Sequence, residues 1–244
     1  MNLRIENVSR LKGKNLKVVT DWLENQGYNC AIFLRADPVA LGWPVRRSRV
    51  YICASLAHNF DHPHTIYEQL QGYPQSLQSV DDIAVASELL PLRQRHCTKS
   101  DNCALDRQSM IALAARPLSS SRKSAFDCQI HEEHSGVLNL RELRVLSLVL
   151  EDNPGIRFVD LSQSSGRAPA GTDVIPCITP GGRIYDITHK RFLSGRQKLL
   201  AQGIFPSQPA NPKQNDLEGD LAGNAFNSIV FAAVLIAALA SSMP

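Results

Sequence analysis

Residues 12–54 read KGKNLKVVTDWLENQGYNCAIFLRADPVALGWPVRRSRVYICA, and this stretch decides the fold class. Val18, Val19, Trp22 and Leu23 recur at helical spacing with Lys, Asp and Glu between them, so an amphipathic helix is predicted from residue 12 to about 26. Gly27 follows where a helix end needs a left-handed residue. Cys30 to Leu34 is an apolar run of strand length, Pro38, Gly42 and Pro44 mark a loop, and Arg49 to Ala54 is a second strand. Helix and strand alternate, which predicts an α/β layer architecture.

Periodicity weakens beyond residue 55. Residues 55 to about 135 are rich in His, Ser, Gln, Pro and Arg, with short helices predicted near 82–90 and 106–115. A further helix is predicted over 138–150, a strand over Phe158–Leu161 and a loop over Gly166–Gly171. Ser194-Gly195-Arg196-Gln197 fits a capping box, so a short helix should run through Gln202 and close at Gly203. Residues 206–220 read as a linker, and a last helix is predicted to begin near Gly223-Asn224 and enter the apolar tail.

That tail holds an unbroken apolar run, Ile229–Ala240, inside an uncharged stretch from Leu221 to Pro244. A membrane-spanning helix needs about 20 apolar residues, so the shorter run is expected to be a buried core helix rather than a tail anchor. The first fifteen residues are charged and lack an apolar core, so no signal peptide is expected. Six cysteines are scattered through 244 residues, which fits a reducing intracellular compartment. The formal charge is only +3, so any contact with nucleic acid must come from a local basic patch. Arg93, Arg95, Arg116, Arg122 and Lys123 could meet phosphates, or simply be solvated.

Metal chemistry is not expected. In His131-Glu132-Glu133-His134 the two histidines stand three apart, not four as in His-Glu-x-x-His. His58, His62, His64, His96, Cys97 and Cys103 match no zinc spacing and read as solvated polar loop residues.

Four local patterns remain, in order: Leu3-Arg4-Ile5-Glu6-Asn7-Val8; Gly42-Trp43-Pro44-Val45-Arg46-Arg47-Ser48-Arg49; Arg191-Phe192-Leu193-Ser194-Gly195-Arg196-Gln197, continuing to Gln202-Gly203-Ile204-Phe205-Pro206; and Gly223-Asn224-Ala225. Together they resemble the second half of the DNA (cytosine-5) methyltransferases: a Glu-Asn-Val motif, a Gly-x-Pro-Gln-x-Arg-x-Arg motif before a strand, a variable target-recognition region, a Leu-Thr-x-Arg-Glu helix and a closing Gly-Asn-Ala helix. The resemblance covers about residues 1–55 and 175–242. It implies an incomplete Rossmann-like class I methyltransferase domain, α/β in class, with a mixed α/β target-recognition insert. Residues 1–55 and 176–244 would belong to the catalytic core, and 56–175 to the recognition region.

The implied chemistry is methyl transfer from S-adenosylmethionine to C5 of cytosine flipped out of double-stranded DNA. By resemblance Glu6 is the acid that protonates N3, its pKa raised by burial, and Arg49 stabilises charge at O2. Arg47 would support the flipped nucleotide or a phosphate, and Gly223 and Asn224 would help to enclose the cofactor.

There are departures. Val45 stands where the family has Gln, and Gln197 where it has Glu. The Phe-x-Gly-x-Gly cofactor loop and the Pro-Cys-Gln nucleophile loop are not found in these 244 residues. Pro176-Cys177-Ile178 is no substitute, because it follows the arginine motif and has Ile for Gln. The expectation is a nuclear methyltransferase fragment or degenerate member, inactive alone, partnered by DNA and by a polypeptide supplying the missing N-terminal half. The alternatives are a non-enzymatic DNA-binding or interaction module and a tail-anchored membrane protein.

Overall fold

A computed structural model describes residues 2–8, 13–72, 81, 83, 129–130, 132–134, 136–164, 168–208 and 211–242, with backbone alone for 2–8 and 212. The sequence-predicted helix at 106–115 lies outside these residues, as does nearly all of that at 82–90.

The first layer grows from β1 (Asn2–Val8), α1 (Lys14–Asn25), β2 (Asn29–Ala36) and β3 (Arg49–Ser55). The strand order is β1-β3-β2, with β3 antiparallel to both neighbours. Gly27 takes φ 84 behind α1 and donates to Glu24 O, the turn its position predicts. Strand periodicity then sorts β3 onto two faces. Val50, Ile52 and Ala54 pack with Leu23 of α1. Tyr51 and Cys53 pack with Ala31 and Phe33 of β2, with Tyr67 of α2 (Pro63–Gly72), and with Val230, Val234 and Ala237 of the final helix. Both faces are therefore covered, as the unbroken apolar character of β3 requires. The helix α2 lies in a region whose weak periodicity did not reveal it.

The second layer is a four-stranded sheet, ordered β5-β4-β6-β7, from β4 (Phe158–Asp160), β5 (Ala170–Gly171), β6 (Ile184–Asp186) and β7 (Arg191–Phe192). Against it packs α3 (Leu140–Asp152), through Leu143, Leu146 and Val149. Asn139 and Glu142 form a reciprocal capping box that sets where α3 begins. β5 occupies the end of the predicted 166–171 loop.

A third core joins the layers, in which Trp43 and Val45 pack with Ile175, Ile178, Leu193, Leu199 and Ala222. The last two belong to α4 (Gly195–Ala201) and α5 (Asn215–Asn224). The predicted capping box is present: Gln197 N donates to Ser194 Oγ at 3.2 Å and Ser194 N to Gln197 Oε1 at 2.8 Å.

The expected helix start near Gly223 is corrected. Gly223 and Asn224 end α5, and α6 (Ser228–Ala240) starts after a break. Asn227 is the true cap, its Oδ1 accepting from Ile229 N and Val230 N while its Nδ2 donates to the buried Ala201 O. Most of the supposed 206–220 linker is helical. By length and composition Asn215–Ala240 could cross a membrane. In the structure α6 lays Val230, Ala233, Val234, Ala237 and Ala238 on the first sheet, as a core helix would.

Candidate functional site

Three of the four motifs meet at one loop. Asp37 Oδ1 accepts from Val39 N at 3.2 Å and caps a 3-10 turn, Pro38–Leu41, and Gly42 reverses the chain at φ 75. The chain from Trp43 to Ser48 then runs beside residues 175–178. Val45 forms a parallel bridge with Ile175, closed by Arg46 N to Ile175 O and Ile175 N to Pro44 O, both 2.9 Å. Trp43 Nε1 donates to Ala201 O at 2.6 Å, tying the loop to the end of α4. Val45 is fully buried among Ile175 and its neighbours. A glutamine there would need polar partners in an apolar cluster, which explains why the departure is an aliphatic residue.

Alternation gives each arginine a different setting. Arg46 is exposed. Arg47 is buried, with Nη1 donating to Ile178 O at 2.7 Å and Nη2 to Gly223 O at 3.2 Å. A guanidinium can hold two carbonyls at once because its donors are a rigid fork. Arg47 thus clasps the 176–182 loop and the end of α5 to the start of β3. Arg49 is half-buried; its Nη1 donates to Ser48 O at 3.0 Å and its Nη2 lies 3.9 Å from Cys177 Sγ. Glu6 stands in β1 opposite Tyr51, two positions from the Val8–Arg49 pair. Its side chain is outside the described residues, and with it the expected pKa shift.

The 176–182 loop is held from further sides. Lys198 Nζ donates to Gly182 O at 2.7 Å, and Gly181 N donates to Asp220 Oδ1 at 3.0 Å. Burial holds the Lys198 ammonium below its ordinary pKa, with Asp160 and Asp220 opposing. Gly223 fits because it has no side chain: a Cβ there would overlap the backbone of Thr179 and Pro180. Sequence reasoning did not single out Lys198, although its place after the capping box faces it towards the glycine pair at 181–182.

Among the proposed cofactor residues, Gly223 is thus closed against protein, and its carbonyl is taken by Arg47. Asn224 is exposed, with Nδ2 donating to Asp220 O at 3.1 Å. Only the Asn224 side chain faces solvent, so the pair as folded offers one polar edge to a ligand rather than an enclosing site.

The other polar candidates separate clearly. His134 is buried, with Nδ1 2.8 Å from Tyr185 Oη. Burial lowers its pKa, helped by Lys190 and opposed by Glu133. Burial, then Asp186, pushes the Tyr185 phenol well up. His58, His62 and His64 are exposed, and no group of three metal-capable side chains occurs among the described residues. His96, Cys97, Cys103, His131 and the basic residues Arg93, Arg95, Arg116, Arg122 and Lys123 lie outside the described residues.

The sequence matches no family profile and no curated protein. Among solved structures the chain is similar to the Dnmt2 methyltransferase of S. pombe, with a TM-score of 0.41 and 18 % identity, over 98 % of this chain and 67 % of that one. At that level the likeness is loose, and the chain's own topology defines its mixed α/β fold.

Proposed function

We propose that the chain is a C-terminal portion or a degenerate member of the S-adenosylmethionine-dependent DNA cytosine-5 methyltransferases, which binds double-stranded DNA and does not methylate it alone. The observation that carries this reading is the Arg47 clasp. One buried guanidinium of the arginine motif holds Ile178, in the segment leading to the third motif, and Gly223 of the fourth. The arginine motif and the closing motif, far apart in sequence, thus meet at one side chain, as the family reading expects.

In this reading Arg49, at the rim, meets O2 of a flipped cytosine, and Glu6 donates a proton to N3. Arg47 holds the loop that aims Arg49. S-adenosylmethionine would supply the methyl group, with Asn224 at one edge of its site. No residue of these 244 matches the family's nucleophile loop, so the chain is expected to bind without transferring. A nuclear location would follow from the substrate.

The test is incubation of the purified chain with methyl-labelled S-adenosylmethionine and duplex DNA. No label should enter cytosine. Clear incorporation would overturn the claim of inactivity and call for a nucleophile within the chain, Cys177 first, because it is the thiol beside Arg49.

A further inference from the structure

The three strands of the first sheet converge on one residue. β1 and β2 both run antiparallel to β3, so they are parallel to each other and finish at the same edge. Val8 at the end of β1 and Ala36 at the end of β2 are both paired with Arg49, where β3 begins. In open α/β sheets ligands bind outside this carboxyl edge.

β2 reaches the edge through an irregularity. Phe33 pairs with Tyr51 and Ala36 with Arg49, so Leu34 and Arg35 together stand against Val50. One residue is extra. A β-bulge of this kind re-aims a side chain, and bulges recur beside active sites. Arg35 takes φ 55 within it, a left-handed conformation that suits Gly or Asn and that a long side chain adopts at a cost. A charge in ordinary extended conformation is enough to protect an edge strand from pairing, so protection does not explain an arginine at this strained position. Its place does explain it. Arg35 is exposed and adjoins the residue paired with Arg49, so it sets a second accessible guanidinium at the carboxyl edge. Arg47, by contrast, is committed to protein carbonyls.

We infer that Arg35 binds a backbone phosphate of duplex DNA, beside the nucleotide that meets Arg49. This rests on the proposed DNA-binding role and deepens it by naming a phosphate contact outside the four sequence motifs. A guanidinium suits the task because it is always charged and bonds phosphate oxygens in pairs.

Binding of a fluorescein-labelled duplex to the full chain, followed by anisotropy across a salt series, tests it for wild type, Arg35→Asn and Arg35→Lys. Chemical unfolding of each is measured alongside. Arg35→Asn removes the charge but tolerates the left-handed backbone, so its unfolding midpoint should equal or exceed that of wild type. It should nevertheless bind several-fold more weakly, with a log–log salt slope shallower by about one. Arg35→Lys should keep the wild-type slope. If wild type binds and Arg35→Asn matches it in affinity and slope, the inference falls while the DNA-binding role stands. An Arg35→Asn chain that self-associates yet binds as wild type would assign Arg35 to protection of the β2 edge, and a lowered midpoint would assign it to the fold; either result overturns the inference. A wild-type chain that does not bind the duplex overturns both.

Discussion

Gly223→Ala places a methyl group on the backbone of the neighbouring loop. Its Cβ would overlap Pro180 N and Thr179 C, with Pro180 Cα only 2.6 Å away. These are main-chain atoms held by Arg47 through Ile178 and by Asp220 through Gly181, so they cannot rotate aside. Overpacking of this kind costs about 1–3 kcal/mol, and a backbone neighbour argues for the upper end. Alanine's better helix propensity returns about 1 kcal/mol near the end of α5. The net loss should be about 2 kcal/mol, or about 4–8 °C in Tm for a chain of this size. Guanidinium unfolding followed by the fluorescence of the buried Trp43 reads it directly, without cofactor or DNA. Gly136→Ala is the control, because nothing lies within 4 Å of its added Cβ and it should change stability by no more than about 0.5 kcal/mol. If Gly223→Ala were as stable as Gly136→Ala, the close packing of α5 on the 176–182 loop would be wrong, and a role for Gly223 reserved for the cofactor would be favoured instead.

Asn227→Ala should cost about 2 kcal/mol in chemical denaturation, since it removes the α6 cap and the buried bond to Ala201 O together; a loss under about 0.5 kcal/mol would return the helix start to Asn224. His134 gives a pH dependence whose sign follows from its lowered pKa. Its stabilising contribution is complete above the unfolded value of 6.5 and is lost as pH falls below it towards the folded value, because the unfolded chain takes up the proton first. Unfolding curves at pH 7.5 and at acid pH should therefore converge more for His134→Gln than for wild type, and equal pH slopes in the two proteins would refute this.

The parts of the fold that were legible in the sequence are those whose signals are local. The periodicity of α1, the turn at Gly27, the apolar run of β3 and the Ser194–Gln197 box each lie within a few residues, and each is present. The short strands β5 and β7 hold two residues apiece and display no period to read. The break between α5 and α6 was misplaced because Asn224 and Asn227 offer the same capping side chain. The choice falls to tertiary partners, Pro180 beside Gly223 and Ala201 O beside Asn227. At the candidate site the sequence named Arg47 and Arg49 and, by resemblance, turned both towards the nucleotide, but it did not place Arg47 against protein carbonyls. The carbonyls that hold Arg47 are 131 and 176 residues away, so no local pattern could show that it builds the site while Arg49 lies at the rim.

Arg49 is therefore the residue on which the functional reading turns, and duplex DNA binding across a salt series, for wild type and Arg49→Gln, tests it most directly. Wild type should bind without cofactor, with affinity falling linearly in log salt as phosphate contacts release counterions. Arg49→Gln should weaken binding several-fold while unfolding at the wild-type denaturant midpoint. A wild-type chain that does not bind duplex DNA at low salt, or an Arg49→Gln chain that binds as tightly as wild type, would contradict it.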